Sequence, residues 1–287
     1  MTTIAAFLKQ GWADHVDHPQ DVAARLAQGI ALVGESADDA TGLIRLAGHT
    51  LLGHLGDVDR TVALLPQLES LSTLGDAPRA ALARLKTTLS LVDPSITAPQ
   101  GLSASELIPA HQAAILALEW RGEYARAGKL VEAVLELAEA DESSRVGAGP
   151  MLSGLAYHLW YWPERNPARN QLTIDAALAV LRVQQAGTDW LETGRAHYRV
   201  SLAYAQAAQA NAAMEHAEQY MRLCTKHGAD SYERFFVHEA IARAHSAAGK
   251  YAAVAAEQEK MAELLDEISD PGHVPYCREV LQSLRAL

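Results

Sequence analysis

The chain has 287 residues, with 24 Lys and Arg against 35 Asp and Glu, for a formal net charge of −11. That balance excludes a general nucleic-acid binder, which needs clustered cations to meet phosphates. Hydrophobic residues at 49% and charged residues at 21% exclude a disordered chain, and no apolar run of about 18 residues offers a membrane span.

The apolar fraction is mostly Ala and Leu, the strong helix formers. No window alternates β-branched and polar residues for long enough to read as a sheet. Turn signals then cut the chain into pieces of helical length. Helices are predicted at 3–15, 20–33, 37–55, 58–72, 77–92, 103–120 and 123–140, and again at 148–161, 168–186, 189–208, 211–227, 231–248, 250–268 and 271–285. The stretch Asp93–Gly101 holds two Pro and a Gly and breaks any helix; it either joins an N-terminal helical segment 1–95 to a main array at 96–287 that ends on a capping helix, or is a long loop between repeats of one continuous array. The run Gly147-Ala148-Gly149-Pro150 has no strand before it, and Pro150 is read as opening a helix.

Three tight turns share one form: Gly56-Asp57-Val58, Gly122-Glu123-Tyr124 and Gly249-Lys250-Tyr251. In each, Gly ends one helix in the left-handed conformation and the following residues open the next. A fourth turn, Gln209-Ala210-Asn211, takes the same place without Gly, and a fifth falls at Trp162-Pro163. The spacings are 41 residues from Gly122 to Pro163, 46 from Pro163 to Gln209 and 40 from Gln209 to Gly249. Two helices per unit at a period near 40 mark a helical solenoid, in which neighbouring pairs cover each other's apolar faces.

The segments Ala114-Ile115-x-x-Leu118-x-x-x-Gly122-Glu123-Tyr124-x-x-Ala127 and Ile241-Ala242-x-x-His245-x-x-x-Gly249-Lys250-Tyr251 resemble tetratricopeptide (TPR) units. The resemblance is good from about 103 to 268; the longer period also leaves HEAT-like pairs open. It implies an all-α, right-handed α-solenoid of antiparallel helix pairs. The first helix of each pair would line a concave groove, which places Arg195, Arg199 and Arg243 there, with Glu239 in the same stripe as Arg243. Guanidinium groups grip carboxylates with two prongs, so an acidic or carboxylate-ended protein or peptide is the expected partner. The aromatic run Tyr157, Trp160 and Trp162, followed by Arg165, is the second candidate recognition surface, since Trp, Tyr and Arg dominate binding hot spots.

Enzyme signatures are missing: there is no Gly-rich phosphate loop, no G-x-S-x-G and no H-E-x-x-H. No catalytic residue, cofactor or metal is expected. His15 and His18, three apart, share a helix face, but Pro19 follows at once. His49 and His54 stand five apart, about 140° around an α-helix, which makes them poor co-ligands. His238 and His245 read as packing residues. Cys224 and Cys277 form no ligand pair, and the N-terminus lacks the basic and apolar regions of a secretory leader, which points to the cytoplasm. The functional expectation is a scaffold or adaptor that binds protein in its groove, with no membrane or nucleic-acid partner. The alternative is a regulatory sensor for a small ligand or signalling peptide, and behind it stands an all-α enzyme.

Overall fold

A computed structural model describes residues 3–140, 142–161 and 166–284. Among these residues the protein is helical throughout, with no strand. The α-helices are α1 (Ile4–Asp14), α2 (Pro19–Leu32), α3 (Ala37–Gly48), α4 (Val58–Leu71), α5 (Asp76–Val92), α6 (Ala104–Trp120), α7 (Tyr124–Ala140) and α8 (Glu142–Tyr161). They continue as α9 (Pro167–Gln185), α10 (Trp190–Gln206), α11 (Ala210–His227), α12 (Ser231–Ala247), α13 (Tyr251–Glu267) and α14 (Val274–Leu284). No described helix is long and apolar enough to cross a membrane.

Local chemistry sets many of the helix starts. Thr3, Ser36, Asp57, Asn166, Asp189 and Asp230 each accept a bond from a first-turn amide, as side-chain oxygens at that position do. Tertiary burial sets the rest. Helix α8 begins at Glu142 and carries Pro150 in its interior, so Pro150 does not open a helix as its sequence context predicts. Its ring is exposed, and the Val146 carbonyl it cannot bond belongs to an exposed residue that water can reach. The opposite side of α8 buries Ala148, Leu152, Leu155, Ala156 and Leu159, and that burial outweighs the cost of the glycines and the proline.

Two compact units divide the chain, residues 1–151 and 152–287. In the first, α1 to α7 pack largely on their sequence neighbours, and α3 also packs on α1 and α5. Its core holds Leu26, Leu43, Ile44, Leu46, Leu51, Leu52, Leu68, Leu89, Ile115 and Leu118, all fully buried. The loop 93–101 lies within this unit between the contacting helices α5 and α6. In the second unit α9 packs on α10, α10 on α11, α11 on α12, α12 on α13 and α13 on α14, while α10 also touches α12. Tyr220, Phe235, Phe236, Ala240, Met261, Cys277 and Leu281 form its core.

The shared turn form is real at four places. Asp57, Glu123, Gln209 and Lys250 each donate their amide to a carbonyl six or five residues back, on Leu51, Leu118, Tyr204 and His245, at 2.8 to 2.9 Å. The residue before each donor has positive φ: Gly56 +58°, Gly122 +72°, Ala208 +57° and Gly249 +70°. The Gly-free turn is therefore centred on Ala208, one residue earlier than its sequence reading, and α11 starts at Ala210. The turn expected at Trp162-Pro163 lies outside the described residues.

Candidate functional site

A cavity of about 310 Å³ opens in the second unit. Helix α8 lines it with Tyr157 and Trp160, α10 with Arg195, Tyr198 and Arg199, and α12 with Tyr232, Glu233 and Phe236; Tyr220 of α11 and Tyr276 of α14 complete the wall. Four of the sequence candidates, Tyr157, Trp160, Arg195 and Arg199, thus meet in one place. Their helical spacing explains it: Tyr157 and Trp160 are three apart, Arg195 and Arg199 four apart, so each pair shares a helix face.

The two arginines face different situations. Arg195 donates from Nη2 at 2.6 Å and from Nε at 3.1 Å to one oxygen of Glu233, and from Nη1 to Glu192 at 3.2 Å. The Glu233 hydrogen bond holds the Arg195 guanidinium charged even more firmly than usual. Glu233 is itself buried, and its second oxygen accepts the Tyr220 hydroxyl proton. Burial and the neighbouring Glu233 charge push the Tyr220 phenol far above its ordinary pKa, so it stays a donor. Glu233 is therefore fully engaged and closes off Arg195.

Arg199 makes no hydrogen bond or ion pair among the described residues, and its Nη1 is buried without a partner. Desolvation works against its charge and lowers its pKa from the ordinary value. Arginine nevertheless stays protonated in proteins. The result is a positive donor group held in a cavity walled by aromatic rings, with no internal acceptor.

Glu239 and Arg243 stand behind this wall rather than on it. Arg243 donates to Glu239 Oε1 at 2.7 Å, and Tyr198 donates to Oε2 at 2.7 Å. Glu239 is almost wholly buried. The Arg243 guanidinium lies 5.1 Å from the Trp160 ring centre, a cation–π distance. The backbone carbonyl of Trp160 accepts from Gln206 at 2.9 Å, which pins the end of α8 to α10. Glu239 and Arg243 thus set the positions of Tyr198 and Trp160. Trp162 and Arg165 lie outside the described residues.

Sequence reasoning missed Tyr198, Tyr220, Tyr232, Glu233, Phe236 and Tyr276. The run Tyr232-Glu233-Arg234-Phe235-Phe236 carries three aromatics and was the available signal. Elsewhere, His238 donates from Nδ1 to Glu257 at 2.6 Å, a half-buried pair between α12 and α13. His15 and His18 do not act together: His18 caps α2, and His15 sits instead beside His49 and His54. The expectation that His49 and His54 diverge is also overturned, because residues His49–His54 form a π-helix and their Nε2 atoms are 3.2 Å apart.

No family model and no curated protein matches this chain.

Proposed function

We propose that the chain is a TPR-like helical-repeat module that binds the carboxylate end of an acidic protein or peptide in the cavity of its second unit. The observation that carries this reading is Arg199. A partly buried guanidinium whose Nη1 is buried without a partner is costly in the free protein, and a bound carboxylate is the partner that would offset the cost with charge-assisted hydrogen bonds. The surrounding Tyr157, Trp160, Tyr198 and Phe236 supply apolar faces for the chain that carries the carboxylate.

The repeat reading draws on two features of the second unit. Its cavity is lined mainly by α8, α10 and α12, every second helix, as the groove-lining helices of a solenoid would be. The turns at Ala208 and Gly249 are 41 residues apart and close with the same backbone bond. Two free cysteines, Cys224 and Cys277, suit a reducing cytoplasm. In this reading the module is an adaptor and carries out no reaction.

A cavity of about 310 Å³ is at the small end of ligand sites. It holds one chain terminus or one acidic side chain, and equally a small carboxylic acid, which keeps the sensor reading as the second possibility. The test is fluorescence anisotropy with a peptide array carrying free C-terminal carboxylates, the same peptides amidated, and a set of free N-acetyl amino acids. Selected peptides should lose on the order of tenfold or more in affinity on amidation or in Arg199→Gln, and keep it in Arg222→Gln on the exposed face of α11. Equal binding of free and amidated peptides, or of wild type and Arg199→Gln, would overturn the proposal. Saturable binding of the N-acetyl amino acids alone, with no gain from a longer peptide, would replace the adaptor with the sensor.

A further inference from the structure

The first unit contains a second cluster built on an irregular piece of backbone. A π-helix closes its hydrogen bonds five residues apart, so His49 and His54 come to one side of the chain instead of diverging. The widened turn is held from outside. Thr50, Leu51, Leu52 and Gly53 are buried, and the Trp120 indole of α6 donates to the Gly53 carbonyl at 2.9 Å. His15, at the C-terminal end of α1, completes a triangle of rings. Centroid distances are 4.8 Å for His49–His54, 4.9 Å for His15–His49 and 5.0 Å for His15–His54.

We propose that His15, His49 and His54 form a binding site for a borderline divalent metal ion of the Zn²⁺ class. One nitrogen from each ring lies within 4.8 Å of the other two. The Nε2 atoms of His49 and His54 are 3.2 Å apart. Two nitrogens at ordinary zinc distances in a tetrahedral site are separated by about 3.4 Å, so this edge is formed already. The His15 nitrogen lies within 4.8 Å of the others, so it must close by about 1.4 Å at most, within the reach of a side chain half exposed at a helix end.

The hydrogen bonding of His15 fits ligation. His15 Nδ1 lies 2.7 Å from the Trp12 carbonyl, an acceptor only, so that nitrogen is engaged as a donor and Nε2 is the ring nitrogen left to face a metal. A backbone carbonyl on the far ring nitrogen is the usual outer support of a metal-binding histidine. The Trp12 ring stands 5.2 Å from His15 and 5.4 Å from His49 and screens the group from solvent.

The donor set gives the metal class. Three imidazoles suit Zn²⁺, Co²⁺, Ni²⁺ or Cu²⁺, whereas Mg²⁺ and Ca²⁺ require oxygen. The adjacent carboxylate, Asp14, is committed to Gln10 at 2.7 Å and Arg25 at 3.1 Å. A fourth position is left for water or an external ligand, the arrangement of open rather than closed zinc sites. Trp12 and His49 also line a cavity of about 280 Å³ whose other walls include Arg45 and Arg84, so a ligand on that position could carry negative charge.

The test uses the full chain without a histidine tag, in a non-chelating buffer at pH 7.5. Zn²⁺ is titrated by calorimetry and Co²⁺ by visible absorption. The expected result is one tight Zn²⁺ per chain and a Co²⁺ spectrum with the intense bands of a four- or five-coordinate ion. His54→Gln and His15→Gln should each weaken binding on the order of tenfold or more, while His245→Gln should not. His15→Gln, at a helix end, keeps the comparison readable if His54→Gln does not fold. Absence of Zn²⁺ binding, a six-coordinate Co²⁺ spectrum, or equal affinity in His15→Gln and wild type would overturn the proposal.

Discussion

Ala208 adopts φ +57° where the three comparable turns use glycine. A left-handed conformation costs an L-residue about 1–2 kcal/mol. Glycine removes that cost but adds about 0.4–1 kcal/mol of unfolded-state entropy. Ala208→Gly should therefore stabilise the protein by about 0.5–1 kcal/mol. The reverse change at Gly249, where a Cβ would meet nothing within 4 Å, should cost about 1 kcal/mol for conformation alone. At Gly56 the added Cβ would stand 2.8 Å from Trp120 Cβ and 3.2 Å from the Ala117 carbonyl oxygen, so Gly56→Ala should cost clearly more than Gly249→Ala. Urea denaturation followed by circular dichroism reads all three, with Ala255→Gly on the exposed face of α13 as the control that should cost about 1 kcal/mol. If Ala208→Gly were as destabilising as Ala255→Gly, the left-handed turn at 208 would be refuted. The equivalence of the four turns would fall with it.

Four more outcomes follow from the geometry. Replacing Arg199 by Met should raise the urea midpoint, because it removes a partly buried charge whose Nη1 is buried without a partner, and a lowered midpoint would contradict the isolation of that guanidinium. Tyr220→Phe leaves the second oxygen of buried Glu233 without its donor and should cost about 1–3 kcal/mol in the same assay. His49 and His197, both lowered to about 4 from 6.5 chiefly by burial, bind fewer protons folded than unfolded between those values; stability should be fully present above pH 6.5 and decline as pH falls toward 4, and a urea midpoint flat over that range would refute it. Burial pushes the Cys224 and Cys277 thiols up to about 12 and 11, so a thiol reagent should leave both untouched at pH 8 until urea unfolds the chain.

The helices were legible because Ala- and Leu-rich periodicity and the Gly turns agree with one another, and the described helices fall close to their predicted spans. Ala208 was not legible, since alanine carries no signal for positive φ, and the turn was placed one residue late. Part of the cavity wall could be read from the stripe of Arg195 and Arg199 and from the aromatic run at Tyr157 and Trp160. Glu233 could not. It stands three residues after the Asp230 cap, where its amide donates to Asp230 at 3.0 Å, so an acidic residue there reads as ordinary first-turn chemistry. Only the packing of α10 and α11 on α12 turns it into the buried anchor of Arg195 and Tyr220.

The histidine cluster shows the same limit more sharply. The segment His49-Thr50-Leu51-Leu52-Gly53-His54 continues the apolar pattern of α3, and nothing in its composition distinguishes a π-helix from an α-helix. The widening is imposed by burial of its middle residues and by the Trp120 bond to Gly53, 67 residues away in sequence. A chain whose local preferences agree almost everywhere departs from them where some other requirement is met. Here the departures are a widened helical turn that brings two imidazole nitrogens to 3.2 Å, and an arginine whose Nη1 is buried without an acceptor. His49 lines a cavity in the first unit and Arg199 one in the second. Under the two proposals a ligand engages both: a metal ion would take up the imidazole nitrogens, and a carboxylate would pair the guanidinium.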